Sequence, residues 1–172
     1  MPTFTFRIVL DRQPTDDELD HLFSAGGDDV TFGTEQGYPV AEFDREQSTM
    51  ADAVASAVHT IESMGLIALR VVDNDLLTLA DIADRIGQSR ESIRRYATGE
   101  RGAGGFPPPA NPAREGTVFY RWSEVAPWLR THLGIDAPDI DSALVVANLI
   151  VQARRHRGNV EHMSALTRLL SV

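Results

Sequence analysis

The chain has no cysteine and no lysine. The first absence removes disulfides, thiolate metal centres and cysteine nucleophiles together. The second makes arginine the source of all 16 basic side chains, a bias that a GC-rich genome produces as readily as a functional demand. No apolar run approaches the roughly 20 residues needed to span a bilayer, so no membrane partner is expected. The opening MPTFTFRIVLDRQ lacks the basic stretch followed by an apolar one that marks a secretory signal. A cytoplasmic location is the expectation that follows. Phosphate-cradling glycine loops and the His-Glu-x-x-His metal motif are also missing.

What is present is acid, unevenly spread. The 172 residues carry a net charge of −9. Residues 1–77 hold 15 Asp and Glu against 4 Arg, a net of −11. Residues 78–132 hold 6 acids against 8 Arg, a net of +2, and residues 133–172 balance at zero. Such asymmetry assigns different partners to different parts of the chain. A negative total does not exclude nucleic acid, because phosphates respond to the local field.

The acidic end alternates strand and helix patterns. Phe4, Phe6, Ile8 and Leu10 recur at period two, the mark of a half-buried strand. Thr15 to Glu18 forms a capping-box pattern ahead of a short helix with Leu19, Leu22 and Phe23 as its buried stripe, stopped at Gly26-Gly27. Segments 29–34 and 38–44 read as a hairpin turned at Glu35-Gln36-Gly37. Thr49 and Asp52 open a second helix whose Met50, Val54, Val58 and Ile61 share a face, and 66–72 is an apolar strand. The order βαββαβ is that of a ferredoxin-like sandwich. The carboxylates Asp16, Asp17, Glu18 and Asp20 suit a helix N-terminus, and Asp28-Asp29 decorates a loop. His21 and His59 stand alone on their helices. With no nucleophile or base at a diagnostic spacing, no catalytic, cofactor or metal residue is assigned, and the chain is not read as an enzyme.

The stretch ADIADRIGQSRESIRRY (80–96) carries more information. Thr78 is a helix cap, Leu79, Ile82, Ala83 and Ile86 form an inner face, and Gly87 permits a sharp turn. Ser89 then caps a second helix with Ile93, Tyr96 and Ala97 inward. A small residue before the turn, a glycine at it and an apolar anchor after it are what a helix-turn-helix requires. Arg90, Glu91, Arg94 and Arg95 are left facing outward, as on a helix that lies in the DNA major groove.

Beyond it comes Gly105-Phe106-Pro107-Pro108-Pro109, then a short strand (117–121), then Trp122-Ser123-Glu124-Val125 with Trp128-Leu129 in a helix capped by Ser123. With the helix-turn-helix, these residues resemble the MerR/excisionase superfamily, most of all its AlpA-like branch, over about residues 76–132. The resemblance implies a winged helix-turn-helix that binds double-stranded DNA. It makes Ser89, Arg90, Ser92, Arg94 and Arg95 groove candidates, and Arg101, Arg114 and Arg121 wing candidates. Tyr96, Phe106, Phe119, Trp122 and Trp128 are read as core rather than as base-stacking residues.

The tail shows a helix from Pro138-Asp139 with Ile140, Leu144, Ala147, Leu149, Ile150 and Val151 inward, then a helix capped by Asn159 with Val160, Met163, Leu166, Leu169 and Leu170. The expected class is therefore α+β: a ferredoxin-like acidic domain (1–75) for partner binding or sensing, a winged helix-turn-helix (76–133), and a helical tail (134–172) joining two copies as a homodimer. The function expected is sequence-specific transcriptional regulation. Two alternatives stand beside it. In one, the protein is an antitoxin whose acidic end binds a basic toxin while the winged helix represses the operon. In the other, it is a purely architectural DNA-binding protein.

Overall fold

The computed structural model describes residues 1–111 and 116–171. The chain is mixed α and β and forms two compact units, Met1–Val72 with Ala143–Val172, and Asp73–Ser142. These bounds differ from those read in the sequence. Residues 73–75 and 134–142 belong to the second unit, and the rest of the tail belongs to the first.

In the first unit, β1 (Thr3–Leu10), α1 (Asp16–Ser24), β2 (Val30–Glu35), β3 (Tyr38–Glu46), α2 (Met50–Ser63) and β4 (Ala68–Val71) follow one another. Their four strands form one antiparallel sheet in the order β2-β3-β1-β4. Alternation along β1 buries Phe6, Ile8 and Leu10. Phe6 lies opposite Phe43 in the register, and their rings stack at 5.6 Å. Ala53, Val54, Ala57, Val58 and Ile61 of α2 close over this face. The β2–β3 turn places Gln36 and Gly37 at φ of 46° and 86° between the paired residues Glu35 and Tyr38. That is the left-handed pair a two-residue hairpin with matching twist needs.

Thr15 and Glu18 form the expected capping box. Arg12 adds two hydrogen bonds of 2.8 Å to Glu18, and this pairing holds the Glu18 carboxyl down at about 2. Phe23, expected in the buried stripe of α1, is 52% exposed instead. After α1 the chain doubles back so that Gly27 N–H donates to Leu22 O at 3.0 Å. A Cβ at Gly27 would lie 2.4 Å from Leu22 Cδ1, so the loop covers Leu22 and leaves Phe23 outside. Asp29, read as loop decoration, holds Arg45 through two hydrogen bonds of 2.6 and 3.0 Å. Arg45 in turn reaches Ser56 and Thr60 of α2.

The tail completes this unit. Helix α6 (Ser142–His156; α3 to α5 lie in the second unit) begins later than its sequence pattern indicates. It buries Val151 and packs Leu144 and Ala147 on the sheet-and-helix core. Asn148 Oδ1 accepts from Val71 N–H at 3.2 Å, satisfying a donor on the edge strand β4. Arg154 pairs with Glu62 at 2.7 Å. Leu149 and Ile150, expected inward, are exposed, as are Leu166, Leu169 and Leu170. The expected final helix shortens to α7 (Met163–Thr167), because a 3-10 turn at Arg157–Asn159 and a left-handed His162 (φ 53°) interrupt it.

A fragment ending at residue 74 lacks the cover that α6 gives to Val54 and Val58 of α2. Losing Leu144 and Val151 alone costs about 3 kcal/mol or more, equivalent to about 12 °C or more in Tm for a unit this size. Thermal unfolding by circular dichroism should show fragment 1–74 melting that far below a chain in which a short Gly/Ser linker replaces 73–142. Equal melting temperatures would mean that α6 adds nothing to this core.

In the second unit, β5 (Leu76–Leu77) leads to α3 (Leu79–Ile86), α4 (Arg90–Ala97), β6 (Tyr120–Arg121) and α5 (Trp122–Leu133). β5 and β6 pair antiparallel, Leu76 with Arg121 and Leu77 with Tyr120. Ile82, Ala83, Ile93, Tyr96, Trp122, Val125, Trp128 and Leu129 form the core, with Phe106 packed against it. Ala137 is fully buried, and Ile135 and Ile140 pack there too, which draws 134–142 into this unit. Trp122 Nε1 donates to Pro138 O at 2.8 Å and Trp128 Nε1 to Gly104 O at 3.1 Å. Both indole donors are satisfied inside the fold, as the core reading of the aromatics requires. Phe119 is only partly buried.

The strand expected over 117–121 contracts to two residues. Ahead of it, Ala110 N–H donates to Phe119 O at 2.8 Å. The Asn111 side chain accepts from Phe119 N–H at 2.7 Å and donates to Thr117 O at 2.9 Å. A side chain thus stands in for ladder hydrogen bonds, and the two arms run together without a regular hairpin. Pro127 lies in the second turn of α5, which begins at Trp122 rather than after Ser123. Its missing N–H leaves a carbonyl at Ser123, and Ser123 is exposed to water.

Candidate nucleic-acid interface

Helices α3 and α4 are set by their ends. Thr78 and Asp81 form a capping box on α3, and hydrogen bonds from Thr78 hold the Asp81 carboxyl below the usual range. Gly87 closes α3 in the left-handed conformation, φ 67°, where a Cβ would be strained. Ser89 then caps α4, its hydroxyl accepting from Ser92 N–H at 3.1 Å. Ser92 turns its own hydroxyl back to Gln88 Oε1 at 3.1 Å. Ile93 and Tyr96 are buried, so the 100° step per residue sends Arg90, Glu91 and Arg95 outward, and all three are exposed.

The arginines of α4 differ in their partners. Arg94 makes two hydrogen bonds of 2.8 Å to Glu91 and two of 2.9 and 3.0 Å to Glu100. These carboxylates raise the Arg94 pKa, and Arg94 lowers those of Glu91 and Glu100. One guanidinium therefore sits between two ionised acids, and the helix is stapled to the loop that follows it. Among the described residues, Arg90 and Arg95 have no ion-pair partner. Arg101 lies over the Tyr96 ring at 5.2 Å, and its N–H donates to Arg95 O at 3.0 Å, so it flanks the end of α4.

No family model, curated protein or solved structure shows a significant match to this chain. The site has to be read from its own geometry.

One wing candidate, Arg121, falls elsewhere. Arg121 donates to Asp75 Oδ2 at 3.1 Å. Asp75 is 0% exposed and also accepts from Ser123 N–H at 2.8 Å, while its carbonyl accepts from Trp122 N–H at 2.7 Å. This carboxylate caps α5, whose N-cap residue supplies no side-chain bond of its own. Arg121 is thereby committed to an ion pair with a buried carboxylate. Arg114 lies outside the described residues. The structure thus brings Ser89, Arg90, Ser92, Arg94, Arg95 and Arg101 together along α4 and its exit.

The positive charge is local to that face. On its structural bounds the second unit holds 8 Arg against 11 acids, net −3, but residues 85–101 hold 5 Arg against 2 acids, net +3. Arg85, not singled out in the sequence, lies over the Trp122 ring at 4.6 Å. It stands as i−5 to Arg90, too far apart in helical period for a pattern on either helix to connect them.

Proposed function

We propose that the second unit binds double-stranded DNA by laying α4 in the major groove, and that the protein is a sequence-specific transcriptional regulator. The observation that carries this reading is the pair of uncompensated arginines, Arg90 and Arg95, on the outward face of a Ser-capped helix in a tight helix-turn-helix. Arginine at such a position meets guanine edges bidentately and phosphates by charge. In this reading Ser89 and Ser92 approach the backbone at the helix N-terminus. The segment that follows α4 serves as the wing of a MerR/excisionase-type domain, with Arg101 at the flanking phosphates. The first unit, as a ferredoxin-like sandwich, has the sensing role. Two copies pair through the exposed Leu149, Leu166, Leu169 and Leu170, an apolar surface that supports association.

Selection of bound duplexes from random sequence tests both parts at once. The expected result is a two-fold symmetric sequence with half-sites one helical turn, or a multiple of it, apart. Recovery of unenriched sequence would remove the reading of α4 as a base-reading helix. An enriched but asymmetric single site would remove the pairing.

A further inference from the structure

Within the first unit, α2 and α6 do not interdigitate along their whole length. Between them runs an apolar groove of about 320 Å³. Its α2 wall is Ala51, Ala55 and Val58, and its α6 lip is Val146 and Ile150. The volume lies within the range of small-molecule sites, roughly 300–1,000 Å³. Ala51 and Ala55 leave this space open where larger side chains on α2 would have filled it.

One end of the groove is not apolar. Arg154 lines it, and a single hydrogen bond, from Nη2 to Glu62 Oε1 at 2.7 Å, is its only one among the described residues. A guanidinium carries five N–H donors in a planar fork. Most of that fork is therefore free to receive a planar anion, and Arg155 and Arg157 follow in the sequence with no ion-pair partner among the described residues. An apolar slot closed at one end by an arginine is complementary to a molecule with an apolar body and a terminal carboxylate.

We propose that this groove binds a medium-chain monocarboxylate, its tail between α2 and α6 and its carboxylate on Arg154. Along α6 the lining runs from Ala143 to Arg154, about 16 Å at 1.5 Å per residue, a reach that suits a medium-chain tail with its carboxylate at Arg154. The proposal rests on the sensing role given above to the first unit. Because binding is measured without DNA, its failure is distinguishable from failure of the DNA-binding reading.

The test is calorimetric titration of the full chain with decanoate and with decanol, both below their aggregation limits. The wild-type protein is expected to bind decanoate saturably, one per chain. Arg154→Gln should weaken decanoate at least tenfold while leaving decanol unchanged, and Ala55→Phe should abolish binding of both. Ala55 is exposed and the Arg154 side chain is 50% exposed, so neither substitution disturbs the core. Absence of saturable binding, or unchanged decanoate affinity in both variants, overturns the proposal. So does a wild-type dimer that binds no decanoate and that Ala55→Phe converts to monomer, which would give the groove to a second copy.

Discussion

Replacing Arg90 and Arg95 together with alanine is expected to weaken binding to a selected duplex by at least 30-fold. The figure follows from about 1–3 kcal/mol for each arginine that reads a base. If one of the two meets phosphate instead, its share appears as a shallower dependence on salt, by about 0.9 in the log–log slope. Arg94 is expected to behave differently, although it sits on the same helix. To reach DNA it would have to leave both carboxylates, or carry them toward the phosphates. Its four hydrogen bonds to Glu91 and Glu100 instead hold the exit of α4 in place. Arg94→Ala should reduce affinity for all sequences alike, and Glu100→Gln should raise it, since an acid beside the backbone repels phosphate. Fluorescence anisotropy at two salt concentrations separates these outcomes. A double Arg90/Arg95 variant that binds like wild type would show that α4 is not the contact surface.

The contrast between Arg94 and its neighbours shows where reading a sequence stops. A period of 3.6 places Ile93 and Tyr96 inward and the arginines outward from the sequence alone. So do the capping residues Thr15, Thr49, Thr78 and Ser89, because a cap acts on a backbone amide three residues away. The four strands of the first unit were legible for the same reason, each being an alternation or an apolar run. Partners set by the fold were not legible. Glu100 meets Arg94 only because the chain turns after Thr98. Asp75 meets Arg121 across 46 residues, and nothing local marks it as more than one acid in an acidic stretch. The tail was misplaced in a similar way. The apolar pattern of α6 says that it packs, but its partner is α2, about 90 residues earlier, and only Asn148 reaching the β4 edge reveals the side it takes.

Asp75 is where the second unit should prove least tolerant. Asp75→Ala removes the acceptor for Ser123 N–H, and with it the only side-chain cap at the start of α5 among the described residues. It also strips Arg121 of its partner. That helix supplies Trp122, Val125 and Leu129 to the core, so a frayed first turn loosens the packing directly. Losing a helix cap costs about 0.5–2 kcal/mol, and losing a hydrogen bond to a charged group about 1.5–3 kcal/mol, together about 3 kcal/mol or more, while a unit of this size has a total stability of only about 4–10 kcal/mol. The expected result is a Tm lowered by about 12 °C or more, or a second unit unfolded at 37 °C. Asp75→Asn keeps an oxygen for the Ser123 amide, and Arg121, one-third exposed, can turn to water, so its cost should be about 1–2 kcal/mol. The two tryptophans of the chain, Trp122 and Trp128, both lie in this unit's core, so their fluorescence follows its unfolding without a signal from the first unit. Heating curves recorded at the indole emission should fall in the order wild type, Asp75→Asn, Asp75→Ala. If the alanine variant melts with the wild type, the α5 cap is not what holds this unit together.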